Sequence, residues 1–399
     1  MKKTALVILI LSLILSGFDG SERESRDEYL LFSINVKDLQ TFSAVCPDAD
    51  QVFMDKGRVF FNLNETEIKK LQSSGIEFTY SSLLKNQRAL SAAGDINGPF
   101  HNYNETSEFL DNLHSRFPEL TEIGSAGTSI EGRNLNYIKI SNPASVSSSK
   151  PNIYILGCHH AREWISVEVP LLFAQYLLEN YGSDPEVAGI VNGSTIYVLP
   201  IMNPDGLEFT IHYYRMWRKN RRDNGGNSFG VDINRNYGSF WGYDNSGSSP
   251  NPWSETYRGT APFSEPETAG LRNFMTANPP SGVISYHSYS QAILYAWNYI
   301  HQTTPDNAEL ENLAKSMSGL MYNVNGRSYI YGCGADALYT TNGDIVDYVY
   351  DTFKVPVFTI ELPPIEFSSG GFIVSETDIN SVFNENLPAL LYFAGHFIK

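Results

Sequence analysis

A short tract near residue 160 carries the side chains best suited to bind a metal ion. It reads Gly157-Cys158-His159-His160-Ala161-Arg162-Glu163-Trp164, with His160 and Glu163 three positions apart. In a turn or a first helical turn, that spacing lets both side chains face one point. An imidazole and a carboxylate suit Zn²⁺, which in a catalytic site needs a third ligand and an open position for water. The pattern alone is equally compatible with surface polar residues, and the adjacent His159 points elsewhere on any regular backbone.

Two further polar residues follow apolar runs that are typical of buried strands. His287 follows Gly282–Tyr286, just as the first tract follows Asn152–Leu156, and Glu361 ends the apolar run from Val355. Open α/β sheets place ligand sites at the carboxyl ends of their strands. A buried carboxylate is therefore expected at residue 361, and an acid paired with an arginine is one interpretation of it.

The elements that must position these residues alternate between strands and helices beyond residue 103. We predict an α/β fold with a mixed, mostly parallel central sheet flanked by helices. A smaller α+β unit precedes it, and a polar, weakly patterned linker exposed to proteolysis joins the two. The predicted units are residues 1–17, 18–88, 89–98 and 99–399: a signal peptide, the small unit, the linker and the large unit.

Composition narrows the class of protein. The chain has 399 residues, 42% of them hydrophobic and 18% charged, with a formal net charge of −16. This composition excludes wholesale disorder, and the acidity makes binding to nucleic acid or to an anionic membrane unfavourable. Lys2 and Lys3 precede an apolar run over Ala5–Leu15, which is typical of a signal peptide and predicts an exported, extracellular protein. With three cysteines no disulfide scaffold is expected, although Cys158 and Cys333 could pair.

Further motifs follow the first tract in a specific order. They are Arg215-Met216-Trp217-Arg218-Lys219, Asp232-Ile233-Asn234-Arg235-Asn236, His287-Ser288-Tyr289-Ser290-Gln291, Leu338-Tyr339 and Phe358-Thr359-Ile360-Glu361-Leu362. In combination they strongly resemble the zinc metallocarboxypeptidases of the carboxypeptidase A/B type. Within that family, the resemblance is greatest to secreted bacterial members similar to carboxypeptidase T. The resemblance begins near Tyr103 and reaches the C-terminus. The small N-terminal unit resembles, more loosely, the inhibitory pro-segment of such enzymes.

The resemblance implies a role for each motif residue. It makes His160, Glu163 and His287 the ligands of one zinc ion per chain, and Glu361 the general base for zinc-activated water. Arg218 would stabilise the oxyanion of the scissile carbonyl, and Arg215 would lie in the adjoining cationic path. Residues matching the positions that hold the terminal carboxylate or line the substrate groove are Asn234, Arg235, Tyr289 and Tyr339. Loop Asp and Asn residues would also permit structural Ca²⁺.

The same resemblance places a side-chain pocket after Tyr339. Val346 falls where arginine- and lysine-specific members carry an acid, and Leu294, Leu338 and Thr359 fall at wall positions. Gly334 replaces a larger side chain and should deepen the pocket. Asp344 replaces a glycine and could pair with a terminal Arg or Lys, or could equally be a turn residue after Asn342-Gly343. We therefore expect large apolar terminal residues to be preferred, Arg and Lys tolerated, and Asp and Glu rejected.

The overall prediction is a secreted zinc carboxypeptidase that is made as a zymogen. Its partners would be the C-termini of peptides or proteins and an activating protease, and we expect a monomer. One alternative is a related amidase that trims cell-wall peptides with the same zinc and glutamate. A second is a binding protein on an inactive scaffold, which should lack a ligand or the base, yet all four residues are present.

Overall fold

The computed structural model describes residues 31–46, 49–55, 58–63, 65–81, 97–145, 150–226, 228–365 and 371–398. The predicted signal peptide lies outside these ranges, and so does the predicted linker except for its last two residues. In the described part of the chain, no helix combines the length and apolarity needed to cross a membrane.

The N-terminal unit is a four-stranded antiparallel sheet with two helices. Its strands lie in the order β2-β3-β1-β4, and its own core is formed by seven buried side chains that include Phe42 and Leu71. The elements, in chain order, are β1 (Leu31–Asn35), α1 (Leu39–Val45), β2 (Asp50–Asp55), β3 (Arg58–Asn62), α2 (Glu65–Ser73) and β4 (Phe78–Ser81). A core this small makes the unit marginally stable by itself.

The larger unit begins with helix α3 and contains the remaining elements. Its helices are α3 (Tyr103–Arg116), α4 (Ile165–Asn180), α5 (Pro185–Gly193), α6 (Pro204–His212), α7 (Pro266–Ala277), α8 (Asn307–Asn325), α9 (Gly334–Ala337), α10 (Ile345–Phe353) and α11 (Ile379–His396). Its strands are β5 (Thr121–Thr128), β6 (Asn134–Ile140), β7 (Asn152–Leu156), β8 (Thr195–Leu199), β9 (Asp223–Gly225), β10 (Ser228–Phe229), β11 (Gly282–Ser288), β12 (Ala292–Tyr295), β13 (Ile330–Cys333) and β14 (Val357–Leu362).

Eight of these strands form one mixed sheet in the order β13-β12-β14-β11-β7-β8-β6-β5. The central pairs β14-β11, β11-β7 and β7-β8 are parallel, while β12-β14, β6-β8 and β5-β6 are antiparallel. The predicted α/β class with a mixed, mostly parallel sheet is thereby confirmed.

The central strands are buried on both faces. Every residue of β11 is buried, and helices α4, α8 and α11 belong to the same continuous core as this strand. Strands covered on both faces read as near-continuous apolar runs, which is why β7, β11 and β14 were recognisable from sequence. Because these three strands are parallel neighbours, their carboxyl ends meet at one edge of the sheet.

The structure departs from the sequence-based expectation in the short edge elements. Strands β5, β12 and β13 were not predicted, because Gly-containing or four-residue strands carry little periodic signal. All three cysteines are free and buried, so Cys158 and Cys333 do not pair. The apolar runs predicted at Asn152–Leu156 and Gly282–Tyr286 coincide with β7 and with most of β11.

Candidate active site

The proposed metal ligands converge at the carboxyl ends of β7 and β11. Nδ1 of His160 lies 2.8 Å from Oε1 of Glu163, and Nδ1 of His287 lies 3.0 Å from Oε2 of the same carboxylate. The two imidazole Nδ1 atoms are 3.1 Å apart, and all three side chains are buried. In the described part of the chain, this is the one group of three or more potential ligands close enough to share an ion.

A tight turn between β7 and α4 delivers His160 and Glu163 to this point. Gly157 opens the turn, and a Cβ atom there would collide with the carbonyl oxygens of Ser166 and Pro200. Its N–H donates to the carbonyl of Leu199 (3.0 Å), which ties the turn to the end of β8. The main-chain N–H of Glu163 then donates to the carbonyl of His160 (3.2 Å), so both side chains face the same side. Backbone packing at the strand end therefore converts the three-residue spacing into a shared site.

The residues fit a zinc ion. Two imidazole nitrogens and one carboxylate oxygen are the ligand set of several catalytic zinc enzymes, carboxypeptidase A among them. Burial alone would raise the pKa of Glu163, but His160 and His287 lower it well below its ordinary value, so the carboxylate is charged. Three convergent, buried ligand atoms, one of them on a charged carboxylate, form a site for a divalent cation.

Glu361 lies beside the metal site with one carboxylate oxygen unused. Strand register pairs Glu361 of β14 directly with His287 of β11. Its Oε2 is buried and has no hydrogen-bond partner, while the rest of the side chain lines a cavity. Burial, and then the charge of Glu163, raise the pKa of Glu361 well above its ordinary value, against the opposing effect of Arg218 and Arg235. An unpartnered carboxyl group with a raised pKa is what proton transfer at a reaction centre requires.

Asp232 links the metal site to Arg218. Its Oδ2 accepts from Nε (3.0 Å) and Nη2 (2.8 Å) of Arg218, and its Oδ1 lies 3.3 Å from Nε2 of His160. Burial would raise the pKa of Asp232, but Arg218 and His160 lower it well below its ordinary value. This carboxylate orients a predicted ligand and a predicted oxyanion group at once. The Asp-Ile-Asn-Arg-Asn motif contained it, yet nothing in the motif distinguished its role.

One cavity is lined both by residues of the metal site and by residues of the predicted side-chain pocket. At its metal end lie His160, His287 and Glu361, and its middle and far end are lined by Asn234, Arg235, Leu294, Asn298, Gly334, Leu338, Tyr339, Thr341, Asp344 and Thr359. Arg235 donates from Nε to the carbonyl of Gly247 (2.9 Å) and from Nη1 to that of Asn234 (2.8 Å), which holds its guanidinium in place. Tyr339 is 59% exposed and stands at the mouth.

Asp344 caps a helix and also lines the cavity. It is the N-cap of α10, where its Oδ1 accepts from the main-chain N–H of Asp347 (3.0 Å). It also lines the cavity, and its carboxylate accepts from Nδ2 of Asn298 (3.1 Å) and the hydroxyl of Thr341 (2.5 Å). Asn298 and Thr341 were not among the predicted site residues, because only tertiary packing brings their loops to this pocket.

Besides the predicted ligand Glu163, four of the predicted residues do not line this cavity. Val346 is fully buried in α10, and Arg218 reaches the site through Asp232. Arg215 donates to the carbonyls of Arg162 (2.6 Å) and Phe372 (2.8 Å) and stacks over the ring of Trp164. Tyr289 packs edge-on against Phe372, 4.9 Å between ring centroids, in a separate aromatic cluster beside the site.

Comparison with known proteins agrees with this geometry. The family model described as zinc carboxypeptidase matches residues 106–389. Rat carboxypeptidase A1 is 34% identical over 314 residues, covering 78% of this chain and 73% of the relative. Dog carboxypeptidase B is 29% identical, with 99% of each chain covered.

Solved structures give the same result. The crystal structure of thrombin-activatable fibrinolysis inhibitor superposes with a TM-score of 0.77 at 28% identity, covering 93% of this chain and 98% of that one. A bovine form, solved in complex with a tick carboxypeptidase inhibitor, is 32% identical over 75% of this chain and 97% of its own, with a TM-score of 0.68. The convergent metal-ligand triad, the mixed eight-stranded sheet and these matches together establish that the chain belongs to the zinc carboxypeptidases of the A/B type, which are peptide hydrolases.

Proposed function

We propose that this protein is a secreted carboxypeptidase, made as a zymogen, that removes large apolar residues and also Arg and Lys from peptide C-termini. The observation that carries the proposal is a cavity whose lining joins Glu361 and two of the three metal ligands to Arg235 and to the residues of the predicted side-chain pocket. A reaction centre, a carboxylate-binding guanidinium and a side-chain pocket in one cavity fit an exopeptidase.

Each end of the substrate has a matching group in the cavity. The guanidinium of Arg235, whose Nη2 forms no hydrogen bond with a described residue, would bind the terminal α-carboxylate together with Asn234 and Tyr339. Planar guanidinium groups suit this role because they bind carboxylates through two parallel hydrogen bonds. Arg218, fixed by Asp232, would stabilise the negative charge that develops on the scissile carbonyl oxygen.

Glu361 would carry out the proton transfers. His160, Glu163 and His287 would hold zinc, which would lower the pKa of water to about 7 and polarise a carbonyl. The Glu361 carboxylate takes the proton of the attacking water and then delivers it to the leaving amine. Its unpartnered Oε2 leaves that oxygen available for this exchange.

The pocket lining supports a broad preference rather than a strict one. Leu294, Leu338 and Thr359 give it apolar walls, and Gly334 leaves space where a Cβ atom would collide with Asn298. Each methylene buried there contributes about 0.8 kcal/mol. At the far end, the Asp344 carboxylate and the buried, unpartnered Oδ1 of Asn298 are acceptors for a cationic tip. Arg235 of the cavity lining is assigned to the terminal α-carboxylate, and the acidic Asp344 would repel a terminal Asp or Glu side chain, which would therefore be disfavoured.

The N-terminal unit would act as the inhibitory pro-segment. Phe60 of β3 packs against the aromatic cluster that contains Trp217, Tyr289 and Phe372, next to the substrate cavity. A marginally stable unit that covers this surface and is joined through residues 82–96 can be released by one cleavage.

Two assays test the proposal. With zinc-loaded protein cleaved within residues 82–96, blocked dipeptides should release free Phe, Tyr, Leu or Met fastest, Arg and Lys measurably, and Asp and Glu hardly at all. Activity confined to basic termini would contradict the pocket assignment, and equal cleavage of C-terminally amidated peptides would favour the amidase alternative.

The second assay compares uncleaved and cleaved protein. The uncleaved chain should have a lower kcat/KM on a small peptide, and Phe60→Ala should raise it, because the contact with the cluster is lost. Val36→Ala, at an exposed site of the same unit, is the matched control. Equal kcat/KM before and after cleavage would remove the zymogen from the proposal.

A further inference from the structure

His159 lies next to a metal ligand, yet its ring is directed away from the metal site. The side chain is fully buried, with Nε2 2.9 Å from the hydroxyl of Tyr237 and Nδ1 3.1 Å from the hydroxyl of Ser285. Its ring is nearly parallel to that of His287, at 17° and 5.4 Å between centroids. Both nitrogens therefore have a polar partner in the interior of the sheet.

Ser285 connects this ring to the metal site. The same hydroxyl oxygen lies 3.2 Å from Nε2 of His287, the nitrogen opposite the one that faces Glu163 and His160. A continuous buried chain thus runs from Tyr237 through His159 and Ser285 to His287. None of the four side chains is more than 1% exposed.

The hydrogen positions along this series of hydrogen bonds can be assigned by starting from His287, the proposed metal ligand. A nitrogen that binds a metal carries no hydrogen, so Nδ1 of His287 is bare and its Nε2 carries the hydrogen, which is donated to Ser285. The hydroxyl hydrogen of Ser285 must then point to Nδ1 of His159. That leaves the hydrogen of His159 on Nε2, where it is donated to Tyr237.

Without a hydrogen-bond acceptor at residue 159, the hydroxyl of Ser285 would favour the tautomer of His287 that cannot bind the metal. Among the described residues, the hydroxyl of Ser285 has His159 and His287 as its side-chain partners. Once His159 is lost, Ser285 would donate to Nε2 of His287, and the hydrogen of His287 would move to Nδ1, where it blocks the metal. Partners behind metal-binding histidines commonly set tautomer and ring orientation in this way.

We propose that His159 is a positioning residue of the metal centre, which through Ser285 holds His287 in the tautomer and ring plane that bind the ion. This inference rests on the proposed role of His287 as a ligand. It assigns a purpose to a histidine that the metal triad does not use, and it concerns metal affinity rather than the chemical step.

The test compares two substitutions of nearly equal shape. His159→Asn keeps an acceptor near the position of Nδ1, whereas His159→Leu does not, and both leave a similar gap. In the full-length chain, the zinc dissociation constant is measured by competition with a chelator. His159→Leu should raise it about 10- to 100-fold, and His159→Asn should remain several-fold tighter than His159→Leu. Replacement of the exposed His301 by Gln is the control for incidental zinc binding and should change nothing.

A double variant separates this mechanism from a packing defect. If the unopposed hydroxyl of Ser285 causes the loss, then adding Ser285→Ala to His159→Leu should not weaken zinc binding further and should restore part of it. Thermal melting of the metal-free proteins reports the packing cost separately, and if His159→Leu does not fold, Tyr237→Phe supplies a milder version of the same test. Equal zinc affinities for the Asn and Leu variants, or additive losses in the double variant, would overturn the inference. A parent protein that binds no zinc would instead contradict the proposed function.

Discussion

The two ends of the substrate cavity are built from different kinds of structure. At the metal end, His287 and Glu361 lie on neighbouring parallel strands in direct register, and His160 and Glu163 lie on a turn held against a third strand. At the pocket end, Asn298, Thr341 and Asp344 come from loops or from a helix cap, and they hold one another through hydrogen bonds. The proposed chemistry thus rests on the sheet and the proposed selectivity on loops, which is why sequence motifs define the first end far better than the second.

The largest effect should come from the base at the metal end. Glu361→Gln keeps the shape of the side chain but removes its ability to take a proton, so turnover should fall by about 10³-fold or more. Zinc content, measured by atomic absorption, should stay near one per chain. His287→Ala, the comparison variant, should lose zinc as well. Near-normal turnover in Glu361→Gln would take the base role from this residue.

Substitution of Arg235, which lies between the two ends of the cavity, should cause the next largest loss of activity. Arg235→Lys keeps the charge but not the planar pair of donors, so kcat/KM for a free α-carboxylate should fall roughly 10²-fold. C-terminally amidated peptides, which lack the carboxylate, should be affected little. If both peptide classes lose activity equally, the guanidinium has a structural role rather than a recognition role.

At the pocket end the effects should be smaller and should depend on the substrate. Asp344→Asn preserves the helix cap but removes the charge, so cleavage of terminal Arg and Lys should fall roughly 10-fold. Cleavage of terminal Phe and Leu should stay within about two-fold, because the apolar walls are unchanged. The ratio of kcat/KM values for Arg and Phe dipeptides measures this difference. Undiminished Arg cleavage would show that Asp344 only caps the helix.

The smallest predicted effect concerns the anchoring of the helix that follows the metal turn. Nδ1 of His101 pairs with Oε2 of the buried Glu168 in α4 at 2.8 Å. Burial would lower the pKa of His101, but Glu168, and then Glu105, raise it above its ordinary value. The stabilisation from the charged pair is therefore complete below the ordinary histidine pKa and is lost as the pH rises through the raised one.

The His101 pair should be visible in thermal melts at two pH values. Between pH 5.5 and pH 8.5, the parent should lose about 2 °C more in Tm than His101→Gln, which does not titrate. His301→Gln is the matched control, since the exposed pair of His301 with Asp336 contributes little. Identical pH dependence in the parent and His101→Gln would show that the metal end does not rely on this anchor.

Motif residues at strand ends could be identified from the sequence, whereas contacts between loops could not. The order of the motifs, through their resemblance to a known family, predicted the ligands and the base. The apolar runs before His160, His287 and Glu361 placed these residues at strand ends, because parallel buried strands have both a recognisable pattern and a shared edge. Short strands such as β12 and β13 carried too little pattern, although Leu294 of β12 lines the pocket.

The sequence by itself determined the α/β class, the metal-ligand candidates and the candidate base, because each depends on residue type and local spacing. Only the tertiary structure decided that Asp344 rather than Val346 reaches the cavity, since which residue of the first turn of α10 faces inward depends on how that helix packs. It also decided that Arg215 binds main-chain carbonyls and that His159 lies behind His287. Asn298 donates a hydrogen bond to Asp344, although the two residues are 46 positions apart in the sequence. These contacts join residues that are far apart in the sequence. Each side chain could form such contacts with many different partners, so only the packing of the folded chain determines which partner it has.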